Sequence, residues 1–480
     1  MIDSSKIFIS NDLVHLITPQ QAWHYRIVPK QISAKNEIVL YITSKNDYPI
    51  IADELEMLLG REIILEAIED EEIHNALLKY YRQNNTNSTS KKIGIENVKA
   101  DDFLPFLISE ARSLNSSDIH IEIYDEKCRI RIRVDGMLIE RYQINKADYP
   151  TLINKIKIKA NLDISEKRLP QDGRILFLHQ DHKFDIRVSI LPTLHGEKVV
   201  LRLLGNDASN ININSLGFGE KELNNYLEGI KKPHGIVLIS GPTGSGKTTT
   251  LYATLKILNN EKSNIVTIED PIEYTLDGIN QVQLKESIGL NFASALKSFL
   301  RQDPDVIMLG EIRDAETAQM AIRAALTGHL VLSTIHTNSA WGTISRLIDM
   351  GVPSFLLAST INLTVAQRLL RILCNNCKQE TEFSNAKLPF NFKAKKELQT
   401  QYIAGGCQEC YYTGYKGRKA IYEVIPIDYE LAEGIKNNEF TIGEYTKKKQ
   451  LNSLSDNAFD LFEKGQTSLD EIYPVLINNF

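Results

Sequence analysis

The sequence predicts an α/β fold built around a parallel sheet, and three observations carry that prediction. A glycine loop, GPTGSGKT at 241–248, stands between a short apolar strand and a helix. Beyond Gly235 the pattern runs buried strand, loop, helix and repeats, the order that lays parallel strands beneath crossover helices. Two upstream stretches alternate strand and helix on a smaller scale. The 480 residues fit about three domains. With 42% hydrophobic and 24% charged residues the balance is that of a soluble globular chain. A net charge of −6, from 55 basic and 61 acidic side chains, argues against a nucleic-acid partner, whose binding domain is usually basic. No run of about 18 apolar residues occurs. The start, MIDSSKIFISND, lacks the basic-then-apolar order of a secretory signal, so a cytoplasmic chain is expected.

Taken in order, residues 1–82 predict a small α/β module, with a strand at 37–43 and helices at 49–60 and 70–83. QNNTNSTSKK is polar and without apolar periodicity, and 83–99 is read as a linker. Residues 100–215 form a second, smaller domain. It opens with the amphipathic helix DDFLPFLISEARSLN, and CRIRIRVDGMLIE alternates with period two about Asp135-Gly136, a hairpin signal. Residues 216–425 make the main α/β domain, with a cysteine subdomain at 372–415, and 426–480 a C-terminal helical region.

The glycine loop fits G-x-x-x-x-G-K-[ST] at every fixed position, and its strand and helix context makes a chance match in a glycine-rich turn a poor reading. Gly241, Gly244 and Gly246 let the backbone curl so that its N–H groups face phosphate oxygens, and the helix dipole favours the same anion. Gly241, Pro242, Thr243, Gly244, Ser245, Gly246, Lys247, Thr248 and Thr249 are therefore the candidate nucleotide-binding residues, with Lys247 directed to the β/γ-phosphates and the Thr248 hydroxyl to Mg²⁺. ATP and Mg²⁺ are the implied cofactors.

Other strand tips carry polar clusters. DVIMLGEIRD ends its apolar strand at Glu311, a carboxylate able to support the Mg²⁺ shell or polarise water. TIEDPIEY places Glu269, Asp270 and Glu273 after another strand, one of them a candidate general base. HLVLSTIHTNSA places His336 after a third, to sense a γ-phosphate or link neighbouring sites, although a lone histidine is more often structural. Asp314 caps a following alanine-rich helix that Gly328 closes. Cys374-Asn-Asn-Cys377 and Cys407-Gln-Glu-Cys410 are two knuckles separated by residues 378–406; four thiolates suit a closed, structural Zn²⁺ site. Cys128 reads as an ordinary half-buried residue of a strand.

These motifs, in this order, resemble the motor ATPases of the type II secretion and type IV pilus assembly family: a Walker A loop, an Asp box (TIEDPIEY), a Walker B strand ending in Glu, and a His box. SSDIHIE, RIRVDG, LPQDGRI and DIRVSILPTLHGEKVVLRLL upstream are similar too, so the resemblance runs from about residue 100 to 425. It implies a RecA-like ATPase domain paired with a sensor-like (PAS-like) domain, nucleotide between them, in a homo-hexameric ring. It further implies Glu273 as the base, Glu311 supporting Mg²⁺ and water, and Arg174 and Arg187 reaching the phosphates from the smaller domain. The family's assembly motors commonly carry the four-cysteine module. The expected function is ATP hydrolysis driving pseudopilus assembly and protein export in type II secretion, with the N-terminal module binding an inner-membrane adaptor and the ring pressing on a platform protein. Membrane contact is then peripheral, through protein partners. A type IV pilus assembly motor is the close alternative. A RecA-like DNA translocase or helicase, or a nucleotide-dependent scaffold, are readings of another class.

Overall fold

Apolar residues at the spacing of short strands and amphipathic helices collect into two units, Met1–Lys92 and Ile93–Phe480. The computed structural model describes residues 13, 16–33, 37–43, 48–81, 91–92, 100–179, 182–203, 212–390, 392–394, 396–437 and 442–477. Apart from Lys91 and Lys92, the predicted linker lies outside the described residues.

The first unit is a three-stranded sheet, β1 (Ile27–Ile32), β2 (Ile38–Thr43) and β3 (Ile63–Ile68), in that order. β1 and β2 are antiparallel, while β2 and β3 are parallel and joined by the helix Tyr48–Leu59. The helix predicted over 70–83 ends at Tyr80. The Tyr81 carbonyl accepts the Trp23 Nε1–H at 2.6 Å, closing the module over a core that includes Val28, Leu40, Ile42 and Leu77.

In the second unit, β4 (Asp118–Ile123), β5 (Cys128–Val134), β6 (Met137–Ile144), β7 (Gln171–His179), β8 (His182–Thr193) and β9 (Gly196–Leu203) build the smaller domain's antiparallel sheet, ordered β6-β5-β4-β9-β8-β7. The period-two pattern decides its faces. Cys128, Ile130 and Ile132 go into a core shared with the helices Ala100–Ser113 and Tyr149–Lys159. Arg129 and Arg131 alternate with them and meet one carboxylate. Glu122, 4% exposed, takes Arg131 Nη2 at 2.8 Å, Arg129 Nε at 3.0 Å and Lys198 Nζ at 3.3 Å. The hairpin signal is realised: Val134 pairs with Met137, and Asp135 and Gly136 have φ of 48° and 84°, the left-handed backbone of a primed two-residue turn.

The main sheet contains β10 (Gly235–Ser240), β11 (Ile265–Glu269), β12 (Asn280–Gln283), β13 (Val306–Leu309), β14 (Leu330–Ile335), β15 (Ile361–Leu373) and β18 (Tyr415–Pro426). Their order is β12-β11-β13-β14-β10-β15-β18, parallel throughout except for β15 with β18. Helices cover both faces, which is why these strands read as continuous apolar runs: Ile236 and Leu238 enter one core cluster and Val237 and Ile239 another. Between β15 and β18 lies a small hairpin, β16 (Gln379–Glu382) with β17 (Thr400–Ile403). Helices Tyr429–Lys436, Gly443–Lys449, Leu454–Glu463 and Leu469–Ile477 follow, in the region read as helical. Among the described residues no helix is long and apolar enough to cross a membrane.

Candidate active site

Parallel pairing brings the strand tips to one edge. Ile239 and Ser240 align with Thr334 and Ile335, Leu309 with Ser333, and Ile268 with Leu309, so the residues that follow these strands share the carboxyl side of the sheet. That edge is where open α/β sheets bind ligands.

The phosphate loop leaves β10 there. Gly241, Gly244 and Gly246 have φ of 150°, 79° and 86°. At Gly241 a Cβ would stand 2.5 Å from the Gln367 carbonyl oxygen, and at Gly246 2.9 Å from Gln367 Nε2, so the loop tolerates no side chain against β15. The helix Lys247–Leu258 begins directly behind the loop. Lys247 Nζ donates to the Gly241 and Pro242 carbonyls at 2.8 and 3.1 Å. Burial lowers its pKa, opposed by the Glu311 charge and aided by Arg368. Ser245 Oγ is buried without a hydrogen-bond partner in the chain, whereas Thr248 stands exposed on the first turn. A curled loop with an inward-facing hydroxyl, an exposed threonine and a desolvated ammonium is the donor set that nucleotide phosphates with Mg²⁺ require.

Glu311 faces this loop. Thr334 Oγ1 donates to the Gly310 carbonyl at 2.7 Å, and the Gly310 and Ile312 N–H groups donate to the Ile268 and Thr334 carbonyls at 2.8 and 2.9 Å, which fixes its backbone. Its carboxylate, 15% exposed, lies 3.3 Å from His336 Nε2 and 2.5 Å from Arg313 Nη2. The structure thus brings Lys247, Glu311 and His336 together. His329 lies elsewhere; its Nδ1 is 2.9 Å from the Ala324 carbonyl at the end of the helix Ala315–Leu326, which Asp314 caps by accepting the Thr317 N–H at 2.8 Å.

The Asp box separates into roles. Glu269 is buried and held by the Tyr252 hydroxyl, by Thr267 Oγ1 at 2.6 Å and by Gln281 Nε2 at 3.0 Å. So saturated a carboxylate shapes the loop. Glu273 is half-buried, and its main-chain N–H donates to Tyr252 Oη at 3.3 Å. Of the two arginines, Arg187 on β8 reaches this loop, donating to the Ile272 carbonyl at 2.8 Å. Arg174 instead pairs with Asp185 across its own hairpin, 64% exposed.

Sequence reasoning missed several participants. Arg368 on β15 donates to the Asn338 carbonyl of the His box at 3.0 Å, and its Nη1 would be 3.2 Å from a Cβ at Gly241. Burial lowers its pKa, with Glu423 opposing. The available sign is a cation, Arg368, within the largely apolar run INLTVAQRLL. Arg313 bridges Glu311 and, at 3.9 Å, Asp270. A cavity of about 480 Å³ opens beside the loop, walled by Gly246, Thr249, Thr250, Gln367, Leu369, Arg418, Lys419 and Tyr422 among others; that volume suits a small organic ligand.

The four cysteines meet away from the loop. Cys374 follows β15, and its N–H donates to the Gly414 carbonyl at 2.9 Å, just ahead of β18. The Sγ–Sγ distances are 3.8 Å for Cys374–Cys407 and 3.7 Å for both Cys377–Cys410 and Cys407–Cys410, and all four sulfurs lie within 4.8 Å of one another. Sulfurs at about 2.3 Å from a tetrahedral zinc stand about 3.8 Å apart, so the cluster is compatible with that ion. The Gly406 and Gly414 N–H groups donate to Cys377 and Cys410 Sγ at 3.1 and 3.2 Å, as thiolates favour.

Comparison with known proteins gives three kinds of likeness. A family model described as type II/IV secretion system protein matches residues 97–474. The type II secretion system ATPase E of Vibrio cholerae serotype O1 is 45% identical over 373 residues, 77% of this chain and 74% of that protein. The type IV pilus assembly ATPase PilB of Myxococcus xanthus is 39% identical over 492 residues, 97% of this chain and 86% of that protein. Among solved structures, the ATPase DotB of Legionella pneumophila superposes with a TM-score of 0.60 at 22% identity, covering 81% of this chain and 97% of that one; at that identity the likeness is one of fold.

Proposed function

The chain belongs to the type II/IV secretion system protein family, and on that footing we propose that it hydrolyses ATP to power pseudopilus assembly and protein export in a type II secretion machine. Its main domain is RecA-like, a fold it shares with the ATPase DotB of Legionella pneumophila. The observation that carries the chemistry is the convergence of Lys247, Glu311 and His336 over a glycine loop at the carboxyl edge of a parallel sheet.

In this reading the loop N–H groups and Lys247 bind the β- and γ-phosphates, and the Thr248 hydroxyl and Glu311 hold the metal shell. Mg²⁺ supplies charge neutralisation on the phosphate oxygens. Glu273 would accept the proton of the attacking water, and His336, beside the Glu311 carboxylate at 3.3 Å, would sense the γ-phosphate. Arg187, already at the Asp box, stabilises the developing charge when the smaller domain closes. Arg174 joins it only by leaving Asp185. Zn²⁺ held by Cys374, Cys377, Cys407 and Cys410 is structural, since four protein ligands leave no open position.

The chain works as a cytoplasmic homo-hexamer, peripheral at the inner membrane. Residues 1–82 bind an adaptor, and domain closure presses on a platform protein. One observation favours a second reading: the alignment to the Myxococcus pilus assembly ATPase spans 97% of the chain, beyond the segment that the family model matches. Pilus assembly is that reading, with the same chemistry. Glu311→Gln tests the chemistry: the variant retains ATP binding and loses turnover, and turnover at the wild-type rate would remove Glu311 from the mechanism. Capture by residues 1–95 of a bitopic membrane protein with a cytoplasmic adaptor domain supports secretion; capture of a pilus platform protein supports the other reading.

A further inference from the structure

The hairpin turn of the smaller domain ends on the main domain's sheet. Asp135 Oδ2 accepts the Gly417 N–H at 2.7 Å, and Asp135 Oδ1 lies 3.6 Å from Arg418 Nε. Arg418 also lines the cavity beside the phosphate loop, as do Gly246 and Thr249. One guanidinium is therefore shared between a carboxylate of one domain and a cavity that abuts the candidate nucleotide loop of the other.

The surroundings make this placement specific. Arg418 sits opposite Arg371 in the β15–β18 ladder, two like charges that repel unless each has a counter-ion. Arg371 has Glu471, with Nε to Oε2 at 2.8 Å. Arg418 has Asp135, brought in from another domain. The turn itself is held by Arg133 Nη1 donating to the Gly136 carbonyl at 2.8 Å. Asp135 has φ of 48° and Gly417 85°, so both partners are left-handed residues, and they are joined through the Asp135 carboxylate.

We propose that Asp135 is a positioning residue for nucleotide binding: it orients Arg418 at the cavity wall and thereby links occupancy of the cavity to docking of the smaller domain. The proposal rests on the reading of the loop as a nucleotide site but not on hydrolysis. By reciprocity, a ligand that engages Arg418 tightens the Asp135 contact by the same factor that the contact tightens the ligand.

The test is a double-mutant cycle in the full chain, read as ADP affinity by equilibrium titration with Mg²⁺. Asp135→Asn is the clean variant. Asparagine tolerates the left-handed turn and its oxygen still accepts from Gly417, so what is lost is the charge and the acceptor facing Arg418. Arg418→Gln removes the other partner. Each single variant is expected to weaken ADP binding by about fivefold, and the double variant no further than Arg418→Gln alone, with the melting temperature of Asp135→Asn unchanged. Two outcomes overturn the proposal: wild-type affinity in Asp135→Asn, or single effects that multiply in the double variant. Absence of ATP turnover in a wild-type chain whose ADP binding follows the cycle would instead remove the proposed function and leave this inference standing.

Discussion

Replacing Glu122 with glutamine should unsettle the smaller domain more than any surface charge would. Burial alone would raise this carboxyl's pKa, but the hydrogen bonds and charges of Arg131 and then Arg129 prevail and pull it from 4.5 down to about 2. A depression of that size corresponds to about 3 kcal/mol at neutral pH. Arg129 and Arg131 are 22% and 24% exposed, so water screens part of this, and about 2 kcal/mol is expected for Glu122→Gln. The sign with pH is fixed by the depressed value. The stabilisation is complete above the unfolded carboxyl's pKa, near 4.5, and drains away as pH falls toward 2. Calorimetry of the full chain from pH 7 down to pH 2.5 measures it. The wild type should lose melting temperature steeply below pH 4.5, and Glu122→Gln should start lower and fall less. Two chains with parallel acid profiles, offset or not, would refute the argument, because the carboxylate would then not be the titrating link.

Other substitutions probe other parts. Lys247→Ala should abolish ATP hydrolysis in a steady-state phosphate-release assay, and residual turnover near wild type would remove the phosphate-loop assignment. Arg187→Ala should lower kcat by at least tenfold, a floor well below the roughly 10³–10⁵-fold that an arginine meeting transition-state charge can supply, with KM for ATP changing less. Glu269→Gln should leave the Thr267 and Tyr252 hydroxyls without their anionic acceptor; it should lower the melting temperature first and hydrolysis second, seen by scanning both. Elemental analysis should find about one zinc per chain, and Cys377→Ser should lose it together with thermal stability.

Local chemistry was legible in the sequence; convergence over distance was not. The phosphate loop, the cysteine knuckles and the Asp135-Gly136 turn each declare themselves within ten residues, because glycine, cysteine spacing and period-two alternation carry their geometry with them. Glu269, Asp270 and Glu273 could not be ranked by spacing, since three carboxylates on one short loop look alike. Only the donors around Glu269, from three separate segments, sort it from Glu273. Arg368 lies on a strand more than a hundred residues from the phosphate loop, and the cavity wall combines β15, β18 and the segment around Leu216, which meet only in the folded sheet. Asp135 was visible as a turn residue, but Gly417 lies far along the chain and nothing in either stretch names the other.

β10 lies between β14 and β15, with every residue of the strand buried. Amides in such a position open only when the sheet as a whole unfolds, so Val237 to Ser240 should be among the last in the chain to exchange with deuterium. A loop hung from the most slowly opening strand cannot be the part that travels during a working cycle. Displacement has to come from what grips the sheet by a few polar contacts at its margins, as Arg187 does at Ile272. In the proposed cycle the phosphate loop would be the fixed frame, and its rigidity is what would give any swing of the smaller domain a defined stroke.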